Sequence, residues 1–385
     1  MQDDTKIVAH GRDPKANFGI VNPPVYHAST ITFPNLATLE RRHKLYVRYG
    51  RSGTPTTFAL QEAVAELEGG ANAIVTSSGL AAIAIALTSF LKTGDHLLMV
   101  DSVYDPGREF CDKVLTDLDV ETTYYDPLIG ANIGDLIRPN TRVVYAESPG
   151  SQTFEVQDIP AIAAAAHNAR AIVIADNTWG TPLHFKSFAH GVDVAVHSAT
   201  KYIAGHADVI LGLIVGTETT YPILRRTARL WGQCAGPDDG YLTLRGLRSM
   251  SARLKQHQEN ALVVARWLAE RVEVARVIHP ALSEHPGHAL WSRDFTGANG
   301  LFSIVLAKQH GKKALAAMLD NMRLFALGFS WGGYESLIVP AEPVRTATEW
   351  QQPGPLLRIH VGLEDPQELI TDLADGLARL ETASG

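Results

Sequence analysis

Between residues 56 and 215 short apolar runs alternate with stretches of helical periodicity. Several of the runs are nearly pure Val, Ile and Ala, such as AIVI at 171–174 and LIV at 213–215. A strand that is apolar at every position has no face to offer water, so helices must cover it on both sides. The pattern predicts strands at 73–76, 96–100, 120–125, 142–146, 171–175, 192–197 and 209–215. Helices are predicted from residue 56 to Gly69–Gly70, at 80–91, near 109–118 and at 161–167. Strand and helix alternating in this way build a mostly parallel sheet with right-handed crossovers. After about residue 246 a long helical stretch (253–271) leads to a strand ending near His279. Further strands near 301–306 and 357–361 and a final helix at 366–380 form a second, smaller α/β unit. The expected division is an extended, Pro-containing arm (1–48), a large domain (49–245) and a C-terminal small domain (246–385). A chain of 385 residues is long enough for two cores.

The net charge of −7 is spread along the chain. Nucleic acid and anionic membranes select concentrated Lys and Arg, so neither is expected as a partner. The basic run Arg41, Arg42, His43, Lys44 reads as a solvated face. The most apolar run, 79–91, is shorter than the ~20 residues a membrane span needs and reads as a buried helix. The N-terminus, MQDDTKIVAH, has neither the basic nor the apolar region of a signal peptide. Cys111 and Cys234 are the only cysteines, and neither sits in a metal-type spacing. Their scarcity fits a reducing compartment, and a cytoplasmic location is expected. His27, His206, His285 and His288 form no helix-spaced ligand pair, so no metal is expected. Dinucleotide and Walker A patterns are absent from the sequence.

Five segments carry residues suited to chemistry. Asp176 ends the apolar strand before Asn177-Thr178-Trp179, at the edge where open α/β sheets bind ligands. A carboxylate there can pair with a protonated ring nitrogen; the plainer reading is a turn or helix-capping Asp. Lys201 follows the apolar strand that ends in His197-Ser198-Ala199-Thr200. A desolvated lysine loses its proton readily and can form an imine or act as a base. A lysine after a strand is otherwise a surface residue, and the upstream strand-end Asp176 is what gives this one weight. Ser77-Ser78-Gly79-Leu80 joins a strand to a helix, where free N–H groups suit an anion such as phosphate; it also reads as a plain helix start. The loop Tyr49-Gly50-Arg51-Ser52-Gly53-Thr54 is rich in phosphate donors. Arg358 lies inside the apolar strand Leu357 to Val361 and must be paired; its fork of donors suits a substrate carboxylate or a structural salt bridge.

Taken in order, YGRSGTPT, SSGLAAI, SVYDPGREFC, ESPGSQTFEVQDIPAI, DNTW, SATKY, GLRSMSARLKQH, SWGGYESLI and LRIHVGLED resemble the Cys/Met-metabolism group of pyridoxal-phosphate (PLP) enzymes, above all its bacterial cystathionine β-lyase branch. The likeness runs nearly the whole length. It implies the PLP-dependent transferase fold, fold type I, and a homotetramer of two close dimers with shared active sites. It assigns Lys201 as the lysine that bonds the cofactor and Asp176 as partner of its ring nitrogen. Tyr104 stacks on the ring, and Ser198, Thr200 and the backbone of Gly79 and Leu80 hold the phosphate. Tyr49 and Arg51 reach the phosphate of the neighbouring subunit. Arg358 takes the substrate α-carboxylate, with Ser330, Trp331 and Tyr49 also facing the substrate.

The chemistry implied is β-elimination from a sulfur-containing amino acid. Cystathionine and water would give homocysteine, pyruvate and ammonia, a step toward methionine. The ESPGS form, without the Asn found after ESP in much of the family, points to β- rather than γ-chemistry. Ser52 stands where bacterial β-lyases often carry a second Arg, toward the distal end of the substrate, which loosens the expected preference for cystathionine. Alternatives are a broader cysteine-S-conjugate β-lyase, a γ-lyase or γ-synthase on the same scaffold, and a PLP-binding regulatory protein with little turnover.

Overall fold

A computed structural model of the chain describes residues 1–384. Strands β1 (Asn72–Thr76), β2 (His96–Val100), β3 (Glu121–Tyr125), β4 (Thr141–Glu147), β5 (Ile172–Asp176), β6 (Val194–Ser198) and β7 (Gly212–Gly216) form a seven-stranded sheet in the order β1-β7-β6-β5-β4-β2-β3. From β3 to β6 every neighbouring pair is parallel. β7 runs antiparallel to both β6 and β1. A parallel return needs a crossover, usually a helix. No helix lies between β6 and β7, and the chain turns back through Lys201 and its following loop.

Successive strand residues point to opposite faces, and the two faces here enter different apolar clusters. Ile74, Val196 and Ile214 join one; Val75, Ala195 and Leu213 join the other. The double coverage inferred from the all-apolar strands is therefore real.

Strands β8 (Val274–Ile278), β9 (Leu301–Leu306), β10 (Leu337–Ala341) and β11 (Leu356–His360) make the smaller sheet, ordered β10-β11-β9-β8 and antiparallel throughout. β10 escapes the sequence reading. It is a short edge strand carrying Pro340, which an edge tolerates because the missing N–H faces no partner.

One helix, Pro237–Ala269, runs 33 residues where the sequence suggests a start near 253, and residue 246 lies inside it. Leu244, Leu247, Met250 and Leu254 pack with the large sheet, and Ala261, Val264 and Leu268 with the small one. Gly240 and Gly246 obscure its first half in the sequence. Gly246 has a packing reason: a Cβ there would stand 2.0 Å from the carbonyl oxygen of Ala204, just past Lys201.

The arm is less extended than expected. It begins with a helix, Asp3–Ala9, whose single buried residue is Ile7. Arg248 donates to the carbonyls of Ile7, His10 and Gly11 and holds the helix on its own chain. One apolar residue leaves no periodicity to read. Farther along, Phe18, Ile20, Val21 and Tyr46 are exposed.

Candidate active site

The carboxyl ends of β4, β5 and β6 place Glu147, Asp176 and Ser198 side by side, with Glu147 and Asp176 in register. They open into a cavity of about 1140 Å³ that Gly79, Leu80, Tyr104, Thr200, Lys201, Ser330, Trp331 and Arg358 also line. Ten of the twelve expected site residues thus share one space. Tyr49 and Arg51 do not. They line a separate cavity of this chain, where the Arg51 guanidinium donates to the Arg229 carbonyl at 3.0 Å.

Lys201 follows β6 in a tight turn, its N–H donating to the Ser198 carbonyl at 3.0 Å. Its Nζ lies 2.6 Å from Ser330 Oγ and 5.3 Å from the centre of the Trp331 ring. Burial, and then the Arg358 charge, lower its pKa to about 8 against an opposing pull from Asp176. A lysine so tuned is partly neutral near pH 7 and nucleophilic.

Asp176 Oδ1 accepts the Thr178 N–H at 2.9 Å, and Oδ2 accepts the Tyr145 hydroxyl at 3.5 Å. The Thr178 hydroxyl in turn accepts the Ser198 N–H at 2.8 Å, tying the ends of β5 and β6 together. Tyr104 caps the helix Asp105–Glu109, and its backbone N–H donates to Glu147 Oε2 at 2.8 Å. Burial, then Glu147, Asp105 and Asp176, push its hydroxyl above the usual range, so it is a neutral donor near pH 7.

Arg358 sits mid-strand in β11, opposite Ser303 and Val339. Its Nη2 donates to the Ser330 carbonyl at 3.1 Å, and no carboxylate among the described residues pairs with it. The structural salt bridge is therefore not what holds it; the rest of its fork is free for a substrate carboxylate.

The cradle beside Ser198 suits a phosphate. Ser78 caps the helix Gly79–Phe90 by accepting the Ala81 N–H at 3.1 Å, which leaves the N–H groups of Gly79 and Leu80 without a backbone acceptor among the described residues. A Cβ on Gly79 would stand 2.7 Å from that of Ser198, so only glycine lets the helix start so close. The Thr200 hydroxyl is already engaged with the backbone of Leu211. A lysine with a lowered pKa, a carboxylate free of any cation partner and this cradle fit PLP. Lys201 would bond it, Asp176 would face its ring nitrogen, Tyr104 would stack on the ring, and Gly79, Leu80 and Ser198 would take the phosphate. Among the described residues no cluster of His, Cys, Asp and Glu is placed to hold a metal ion. No helix among them is long and apolar enough to cross a membrane.

Sequence reading assigned no role to Glu147, Thr178 or His360. The available signal for Glu147 was its position at the end of an apolar strand, the same cue that singled out Asp176.

A fold of this type with such a site defines a PLP enzyme, and the chain belongs to the Cys/Met metabolism PLP-dependent enzyme family, whose sequence model matches residues 4–378. It is 46% identical to cystathionine beta-lyase MetC of Escherichia coli, over 98% of each chain. With cystathionine beta-lyase of Salmonella typhimurium it shares 45%, over 98% of this chain and 99% of the relative. The solved structure of cystathionine gamma synthase from Xanthomonas oryzae pv. oryzae, in complex with aminoacrylate and cysteine, superposes with a TM-score of 0.91 at 33% identity. That match covers 100% of this chain and 99% of the other.

Proposed function

We propose that this enzyme is a carbon–sulfur lyase that cleaves the Cβ–S bond of cystathionine, yielding homocysteine, pyruvate and ammonia with uptake of water. The observation that carries this is the grouping of Lys201, Asp176 and an unpaired Arg358 around one cavity. Bound PLP supplies an electron-withdrawing ring that takes up charge from Cα. Arg358 holds the α-carboxylate through its free donors and so aims the Cα–H bond. Lys201 would take the Cα proton at Nζ. Ser330 holds that nitrogen in place. The thiolate leaves from Cβ and receives a proton from the same Nζ, which returns Lys201 to its neutral form. Asp176 would face the ring nitrogen of bound PLP and favour its protonated form.

The proposal includes a homo-oligomer, a tetramer of two dimers, in which Tyr49 and Arg51 serve the neighbour's phosphate. Their position outside their own chain's site and the exposed apolar residues of the arm support this. It also includes a cytoplasmic location, which the scarcity of cysteine supports.

Ser52 favours a range wider than cystathionine, reaching other cysteine S-conjugates. Purified protein with cystathionine, cystine and methionine, analysed for keto acids, tests the reading. Pyruvate with stoichiometric homocysteine is expected. 2-Oxobutyrate as the main product would make the enzyme a γ-lyase, and PLP binding without turnover would make it a binding protein.

A further inference from the structure

Glu147 has a charge problem that the proposed reaction does not resolve. It is half-buried at the end of β4, in register with Asp176, and both line the cavity. No Lys, Arg or His nitrogen among the described residues lies within ion-pair distance of its carboxyl group. Among the described residues its carboxyl group has one hydrogen-bond partner, the Tyr104 backbone N–H, at 2.8 Å from Oε2. The groups around it are mostly acidic. Asp176 is alongside, and Asp105 is held by the Gln152 side chain at 2.9 Å. Of the cations nearby, Arg345 is already committed to Glu155 at 2.9 Å and to Thr153, while Lys201 and Arg358 line the same cavity without an ion-pair contact to Glu147. A protonated ring nitrogen at Asp176 would add one positive charge for two adjacent, half-buried carboxyls. Like charges this close in a low dielectric do not both persist.

We propose that Glu147 works as a neutral carboxylic acid, a positioning residue that fixes Tyr104 through its backbone N–H and leaves Asp176 as the one carboxylate anion behind the ring. This rests on Asp176 facing the ring nitrogen. The proton belongs on Glu147 because of the different surroundings of the two groups. Burial, and then Asp176, push the Glu147 carboxyl well above its ordinary range. Burial also raises Asp176, but the Thr178 hydroxyl and N–H, His197 and Tyr145 oppose that rise. Oε2 accepts from Tyr104, so the proton falls on Oε1. A neutral acid keeps the Tyr104 backbone in place without adding a second negative charge beside Asp176, where it would overbind a proton on the ring nitrogen.

Infrared difference spectroscopy at neutral pH reads the protonation directly. Wild type minus Glu147→Gln should show the C=O band of a protonated carboxyl in the cofactor-free and the PLP-loaded protein alike. Glu147→Gln preserves both neutrality and an acceptor, so the pH midpoint of the bound cofactor's visible absorbance should stay where it is in wild type. Glu147→Ala removes the acceptor and should weaken PLP binding by about 10-fold, the scale of one lost hydrogen bond. The glutamine variant should restore that affinity. Absence of the carboxyl band, or a midpoint displaced by about one pH unit or more in Glu147→Gln, would mean an ionised Glu147 and overturn the proposal. The band is read without substrate, so a failure of the lyase reading leaves this test standing.

Discussion

The Nζ of Lys201 and the hydroxyl oxygen of Ser330 lie 2.6 Å apart although 129 positions separate them in the chain. Ser330 holds a φ of +72°, a left-handed conformation that a non-glycine residue adopts only where its surroundings impose it. β11 imposes it. His360 accepts the Gly332 N–H at Nε2 (3.0 Å) and donates from Nδ1 to the Glu335 carbonyl (3.0 Å), and Arg358 donates to the Ser330 carbonyl. Those two bonds require a neutral imidazole, and burial lowers the His360 pKa well below the usual value. One strand therefore carries Arg358 and also positions the serine that meets Lys201 Nζ.

Lys201 should set the pH dependence of cofactor loading. Only its neutral amine attacks an aldehyde, and its pKa is lowered to about 8. Below that value the reactive fraction falls about tenfold per pH unit, and above it the fraction levels off. Stopped-flow absorbance of cofactor-free protein mixed with PLP should follow this curve. A rate still climbing steeply toward pH 10 would indicate an unperturbed lysine. Lys201→Ala should show no stable visible band after dialysis and no turnover.

Asp176→Asn keeps the shape but lets the ring nitrogen lose its proton. Turnover should drop at least ~10²-fold, the scale of a lost charge-stabilising group. Near-normal kcat in this variant would remove Asp176 from the electron-withdrawing role.

Arg358→Ala should act mainly on substrate. The loss of a bidentate, charge-assisted contact predicts a fall in kcat/KM of roughly 10- to 100-fold. PLP affinity should hardly change. Arg358→Lys should recover little, because a point charge does not reproduce the fork. Full recovery by lysine would show that charge alone matters there.

Mixed oligomers test the shared site. Lys201→Ala should be inactive alone, and Arg51→Ala weak, since every phosphate then lacks its guanidinium partner. In a mixed dimer the Arg51→Ala chain brings Lys201 and the other chain brings Arg51, so one site is complete. Co-refolded material verified to contain mixed oligomers should exceed the activity of either parent. Activity no higher than the average of the two would place Arg51 in the service of its own subunit.

Much of the scaffold is written locally. Apolar runs at 96–100 and 301–306 coincide with β2 and β9, and the strand ends that present Asp176 and lead to Lys201 are visible as apolar runs that stop at polar residues. Periodicities of two and 3.6 residues are properties of a few neighbouring side chains, so they survive without the rest of the molecule. The motif order carries the family for the same reason, since each motif is a short local run of residues. What periodicity does not contain is which strand lies beside which. The register that sets Glu147 against Asp176 comes from strand order in the sheet. The approach of Ser330 and Arg358 to Lys201 comes from packing the small domain on the large one along the helix Pro237–Ala269. The exclusion of Tyr49 and Arg51 from their own chain's cavity is also a tertiary result. In each case burial and close packing between distant segments decide the contact, and no local run of residues encodes such a distance.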